Sequence, residues 1–216
     1  MRLMTQTLMV TTLLAVAGAA AGQSIPEVKL PASPAGQASV QVAGRWETPA
    51  QGSRRYVDGK WIHVTYGRPL LRGRTGIFGS GADYGKVISD GAPVWRAGAN
   101  DTTRLTTQVP LRLAGKTLPP GTYNVFVDLK PGAWTLVLTN QPVQAKYDPN
   151  DKVNLYGSYN YDPRFELVRV PMTVQETDLA FEQFTIAFVN TTSSATTMMM
   201  WWDRTRATVT LPVATP

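Results

Sequence analysis

Alternation with a period of two dominates this sequence and restricts it to strands. In the last third, Phe184, Ile186 and Phe188 share one face of an extended chain. After the polar stretch 190–195, Met198, Met200 and Trp202 return, and Ala207, Val209, Leu211 and Val213 continue the stripe. Successive side chains of a strand point to opposite faces, so each set marks a half-buried strand. The same pattern sets Ile62, Val64 and Tyr66 against Trp61, His63 and Thr65, and puts Tyr123, Val125, Val127 and Leu129 on one face. It also aligns Trp134, Leu136 and Leu138, and then Val168, Val170, Met172 and Val174. Pro171 has no N–H to give a ladder, which predicts an edge strand or a bulge. Asp58-Gly59 predicts a hairpin, and Ala114-Gly115, Pro119-Pro120-Gly121, Lys130-Pro131-Gly132 and Asp203-Arg204 predict turns.

No run of ten residues carries a helical period, and short helical turns are expected only near 70–78 or 94–100. The expected fold is all-β: a single antiparallel β-sandwich, jelly-roll-like or a flattened barrel, with one long irregular loop segment. The methionines at 198–200 alternate within a strand without a neighbouring His, which reads as core filling rather than a soft-metal site.

The first residues read as an address. Arg2 is followed by no charge until Glu27, and the apolar stretch 8–21 is too short for a span of about 20 residues. Ala19, Ala20, Ala21 and Gly22 supply the small residues of a cleavage site. The expected organisation is a signal peptide over 1–22, a Pro-containing linker over 23–37 and one β-sandwich domain over 38–216. Such a chain is expected to be periplasmic or secreted, with no stable membrane insertion after cleavage.

In that setting the composition excludes several chemistries. The chain has no Cys and one His, so disulfide stapling, thiolate zinc sites, iron–sulfur clusters and thiol nucleophiles are out. The net charge of +6 comes without a Lys/Arg tract, and nucleic acid is not an expected partner. The excess is local. Between positions 45 and 74, Arg45, Arg54, Arg55, Lys60, Arg68, Arg72 and Arg74 face only Glu47 and Asp58.

Residues 66–103 do not read as scaffold. Nearly forty residues between strands exceeds an ordinary connection, and long ordered loops on a β framework commonly carry binding sites. Arg68 continues the phase of Ile62, Val64 and Tyr66, which aims its guanidinium at the inner face or the mouth of the sandwich. There it needs a carboxylate or several carbonyls, with Asp83, Asp101 and Asp203 as candidates. Arg96 and Asp101 form a second candidate pair around Gly98-Ala99. One reading is a pocket for an anion or a sugar, gripped by Arg forks. The other is an ionic network that pins the loop to the sheet.

The blocks Tyr66-Gly67-Arg68-Pro69, Arg72-Gly73-Arg74, Phe78-Gly79, Tyr84-Gly85-Lys86 and Trp95-Arg96-Ala97-Gly98-Ala99-Asn100 resemble domain-of-unknown-function family 2911, a group of exported bacterial proteins. The resemblance continues through Gly115-Lys116-Thr117, Pro120-Gly121-Thr122-Tyr123, Trp134, Val170-Pro171-Met172 and Trp202-Asp203-Arg204-Thr205. It spans roughly 57–213. The chain departs from the commoner pattern by an insertion at 87–93 and an extended region at 146–163. The resemblance implies no activity.

The remaining constellations are weaker. His63 lies on the face away from Ile62 and Val64, with no Ser or Asp motif beside it, and there is no Gly-x-Ser-x-Gly elbow. Carboxylate-only glycan hydrolysis stays open, with Asp83 and Asp101 as the pair to test. The oxygen-rich run Lys146-Tyr147-Asp148-Pro149-Asn150-Asp151 suits calcium or an ordinary turn. Tyr156, Tyr159 and Tyr161 could stack on sugar rings or cover the core.

The function expected first is a binding or interaction module for a small polar or anionic ligand or an envelope component. Its candidate contacts are Tyr66, Arg68, Arg74, Trp95, Arg96, Asn100 and Asp101. No catalytic residue, metal ligand or cofactor is assigned. The alternatives are a carboxylate-dependent, glycan-directed hydrolase and a structural envelope protein without a small ligand.

Overall fold

Twelve strands carry the chain through residues 28–214, the part that the computed structural model describes. The stretch expected to be a signal peptide, 1–22, and residues 23–27 of the expected linker lie outside the described residues. The strands are β1 (Ala35–Val42), β2 (Arg45–Glu47), β3 (Arg55–Val57), β4 (Lys60–Gly67), β5 (Arg104–Thr107), β6 (Leu111–Leu113), β7 (Lys116–Leu118), β8 (Gly121–Asp128), β9 (Thr135–Thr139), β10 (Glu166–Pro171), β11 (Thr173–Val189) and β12 (Ala195–Pro212). One short helix, α1 (Lys86–Ser89), falls in the long loop segment. No described helix is long and apolar enough to cross a membrane.

The architecture is an antiparallel β-sandwich whose sheets do not close. One layer is a six-stranded sheet in the order β1-β4-β5-β8-β9-β10. The other is built on the long hairpin β11–β12, with the β6–β7 hairpin beside it through a bridge between Leu111 and Val213. The alternating stripes meet between the layers. Ile62, Val64, Leu105, Val125, Val127, Leu136 and Leu138 pack in one cluster with Phe184, Ile186, Met198, Met200, Trp202, Val209 and Leu211. Burying each such side chain contributes about 1.5–3 kcal/mol. Met198 and Met200 are core residues, 0% and 1% exposed. Pro171 ends β10, the outermost strand of the large sheet, where its missing N–H costs no ladder bond.

Four expectations change. β1 begins at Ala35, inside the stretch read as linker, and pairs along its length with β4. The Asp58-Gly59 hairpin does not form: β3 pairs with β2, while β4 joins β1 and β5. Only Asp58 takes a positive φ of 58°, whereas a two-residue primed turn needs two such residues. Ala114 and Gly115 do supply both, at 46° and 78°, and β6–β7 is a hairpin. Asp203-Arg204 is not a turn, because β12 runs through it. The φ of 51° at Asp203 instead accompanies a register shift opposite Phe181. Finally, neither 70–78 nor 94–100 forms a helix, and the helical turns occur at Gly81–Asp83, Lys86–Ser89 and Pro163–Phe165.

β8 is buried on both faces, which its sequence alternation does not announce. Phe126 packs outward with Val94, Val137 and Leu155, under residues 142–161. Two buried amides hold that cover. Asn124 donates to Thr139 Oγ1 at 3.1 Å and to Gln141 O at 2.8 Å. Gln141 in turn donates to Val153 O and Asn160 O and accepts from Asp162 N.

Candidate functional site

The segment between β4 and β5 is irregular but fixed at many points. Arg68 N donates to Pro34 O, Phe184 N to Pro69 O, and Leu71 N to Glu182 O, so its first residues lie along β11. Ile77 and Phe78 enter the core. Gly76 N donates to the buried carboxylate of Asp203 at 2.8 Å. Trp95 then bridges to Val127 of β8 through two backbone bonds of 2.9 and 2.8 Å. Gly67 and Gly98 meet where the loop returns. A Cβ on Gly67 would lie 2.0 Å from Ala99 O, and one on Gly98 2.8 Å from Gly67 O. Only glycine permits that approach.

The candidate side chains fall into two adjoining cavities that share Ser33, Ala99 and Asn100. The larger, about 540 Å³, is lined by Tyr66, Arg68, Asn100 and Asp101 together with Gly36 and Thr102. The smaller, about 310 Å³, is lined by Arg74, Trp95, Arg96 and Asn100, with Trp202 and Val87. Asn100 stands between them, held by a φ of 61° and by donation from Nδ2 to Ser33 O at 3.2 Å.

The three candidate arginines have different environments. Arg74 donates Nε to Leu71 O at 2.9 Å and Nη2 to Leu70 O at 2.6 Å, and its guanidinium lies over the Trp202 ring. Arg96 donates to Asn100 O at 3.1 Å, lies 3.9 Å from Asp90 and stacks over Tyr159 at 5.5 Å. The expected pair of Arg96 with Asp101 is therefore replaced by Asp90. Asp90 and Tyr159 fall in 87–93 and 146–163, the two stretches expected from the sequence to be an insertion and an extension. Tyr159 donates its hydroxyl to Asp90, which holds that phenol above the usual tyrosine range, the hydrogen bond being the main cause.

Arg68 has the weakest anchorage. Its Nε reaches Phe184 O at 3.5 Å and its Nη2 reaches Thr185 Oγ1 at 3.4 Å. These are at the long limit for hydrogen bonds. No described carboxylate forms an ion pair with it, so Asp83, Asp101 and Asp203 are not its partners. Asp83 pairs with Lys86 at 3.0 Å and Asp203 with the Gly76 N–H. The Arg68 stem is seated against Gly36, where a Cβ would come within 2.2 Å of Cδ.

Tyr66 and Trp95 are chiefly structural, at 6% and 1% exposed. The Trp95 indole donates to Gly98 O at 3.2 Å and stacks parallel to Trp202. Asp101 is exposed at the rim of the larger cavity, and Asp83 does not line that cavity. The two acids therefore do not face one another across it, as a glycosidase pair would. Asp148 and Asp151 accept from nearby backbone N–H groups, as Asx turns do. Donation from Asn154 N above all holds the Asp151 carboxyl below its usual range. His63 Nδ1 lies 2.7 Å from Ser39 Oγ, its direct cross-strand neighbour on β1. No described carboxylate orients the ring, so the contact lacks the third member of a catalytic triad.

Sequence reasoning missed Gly36, Ser33 and Thr102 as cavity residues, and Asp90 and Tyr159 as the partners of Arg96. Ser33 and Gly36 fell in the apparent linker, and neither Asp90 nor Tyr159 is near Arg96 in any periodic pattern.

The family model of DUF2911, described as a protein of unknown function, matches residues 48–211. No curated protein and no solved structure matches the chain. With most of the sandwich and the whole of the long loop inside the match, the chain belongs to the DUF2911 family.

Proposed function

We propose that the protein is an exported binding module that takes a small polar ligand in the cavity beside Arg68. The observation that carries this reading is the guanidinium of Arg68, set in a concave site with two long contacts and no described carboxylate partner. A half-buried arginine of this kind favours a ligand oxygen that accepts two N–H bonds at once. Asn100 and Thr102 add polar groups to the same wall, and Asp101 adds an acceptor at the rim. The ligand class that suits this lining carries a carboxylate or hydroxyl oxygen toward Arg68 and a hydroxyl or ammonium toward Asp101. Export follows from the address at 1–22, and an intact mass beginning at Gln23 or Gly22 supports it, whereas one beginning at Met1 overturns it.

The structural reading has its own support in Arg74 and Arg96, both engaged with loop carbonyls. A thermal-shift screen separates the two. Sugar acids, amino acids and small dicarboxylates are the probes. A ligand that raises the melting temperature of the wild type and not of Arg68→Ala supports the binding module; a screen without any Arg68-dependent shift leaves the structural reading.

A further inference from the structure

At the end of β1 remote from Arg68 lies a third cavity, of about 650 Å³. Ala35 pairs with Gly67 beside Arg68, and Val42 pairs with Lys60 at the other end. Eight residues at about 3.3 Å each separate the two sites by roughly 25 Å. Trp46 of β2 and Tyr56 of β3 form one wall of this cavity. Gln41 of β1 and the loop residues Thr191, Thr192 and Ser193 complete it with an amide and three hydroxyls. No charged side chain lines it, in contrast to the cavities that hold Arg68 with Asp101 or Arg74 with Arg96.

The cavity is built rather than incidental. A Cβ on Gly44 would lie 2.5 Å from the Tyr56 ring and one on Gly59 2.7 Å from it, so two glycines let the backbone close on that ring. Gly44 N donates to the Tyr56 hydroxyl at 2.9 Å, and Ala43 N ties the loop down by donating to Ser193 O at 2.8 Å. Trp46 meets the held ring edge-on at 5.4 Å and still leaves 57% of its surface in water. Trp61, the cross-strand partner of Gln41, is a second exposed indole at 46%. Of the nearby arginines, Arg45 pairs with Asp58 and Glu47 and Arg55 with Glu47, while the Arg54 guanidinium lies over the Trp46 ring, 4.9 Å from its centroid.

Exposed aromatic surface beside hydroxyls and an amide suits a ligand that is apolar on one face and hydroxylated at its edge. A purely apolar ligand would strip water from the hydroxyls without replacing their bonds, and no cation lines the cavity itself, Arg54 lying over the Trp46 ring. A neutral sugar ring meets both conditions, because its C–H face packs on an aromatic plane while its hydroxyls both donate and accept. We propose that this cavity binds a neutral glycan, with the exposed surface of Trp46 as the stacking platform and Gln41 and Ser193 as partners for the sugar hydroxyls, the Thr192 hydroxyl being held by Ala195 within its own loop. The proposal is independent of the Arg68 cavity.

Native affinity electrophoresis tests it, with β-glucan, arabinoxylan and hydroxyethylcellulose as neutral polymers and polygalacturonate as the acidic one. The wild type is expected to be retarded by at least one neutral polymer, and to remain so at about 0.5 M salt, where exposed charges are screened. Trp46→Ala is expected to weaken association at least about tenfold, or about 1.4 kcal/mol, and Trp46→Phe to keep most of it. Near-UV circular dichroism confirms that the Trp46 variants are folded. Retardation by no neutral polymer, unchanged binding by folded Trp46→Ala, or retardation by polygalacturonate alone that disappears in salt overturns the proposal.

Discussion

Tyr66 fastens the two layers of the sandwich at a single residue of β11: its hydroxyl accepts from Ile186 N at 2.9 Å and donates to Ile186 O at 3.2 Å. The ring also packs edge-on against Phe184. Tyr66→Phe keeps the packing and strands a buried backbone N–H and C=O. An unsatisfied buried group costs about 1–3 kcal/mol, so denaturant unfolding should show a loss of that size. Unchanged stability would mean that water replaces the hydroxyl.

Two glycines that line the larger cavity should respond differently to one methyl group. At Gly67 the added Cβ meets the backbone of Ala99 at 2.0 Å, and backbone yields only by moving the loop. At Gly36 it meets the flexible stem of Arg68. Gly67→Ala should cost about 3 kcal/mol, the upper range of overpacking, whereas Gly36→Ala should displace Arg68 with a smaller loss. Thermal unfolding of the two variants side by side checks the order, and equal losses would contradict it.

Acid should weaken the edge of the large sheet through Glu166. Its carboxylate accepts from Arg169 Nε at 2.7 Å and Nη2 at 2.9 Å, and those bonds hold it below the usual carboxylate range. A depressed folded value stabilises the fold fully above the unfolded value of about 4.3 and loses that stabilisation as pH falls through the folded one. The Tyr161 hydroxyl, also bonded to Glu166, is raised, chiefly by burial. Its contribution has the opposite sense: present below about pH 10 and lost above. Glu166→Gln should flatten the acid limb of a melting-temperature profile, and Tyr161→Phe the alkaline limb. Profiles that keep both slopes would place the titrating groups elsewhere.

Stripes such as Ile62, Val64 and Tyr66 announced their strands because burial on one face writes a period of two into the sequence. What periodicity does not encode was harder to see. Phe126 and Val137 are buried by residues 142–161, whose placement depends on the Asn124 and Gln141 amides rather than on any pattern. A left-handed residue such as Asp203 signals a change in chain direction without saying whether it is a turn or a bulge. The candidate loop was legible from its length and its Arg, Trp and Gly content. Its pairings were not: Arg74 and Arg96 use backbone carbonyls, which every residue carries and no sequence marks.

Arg96 ties three separate stretches, through Asn100 O, Asp90 and the Tyr159 ring, and its side chain is 12% exposed. Arg96→Ala should lower stability by about 1.5–3 kcal/mol, the range of a hydrogen bond to a charged group. Guanidinium-chloride unfolding measures it. A neutral result would return Arg96 to the list of ligand contacts.

Whether Arg68 binds ligand or holds the fold is measured by calorimetric unfolding of wild type and Arg68→Ala, each without ligand and with the strongest hit of the screen. A binding residue held only by contacts of 3.4–3.5 Å should cost little when removed. The predicted result is an unliganded stability within about 1 kcal/mol of wild type, together with loss of the ligand-induced rise. A large drop without ligand, with the rise preserved, would overturn the binding role and make Arg68 part of the scaffold.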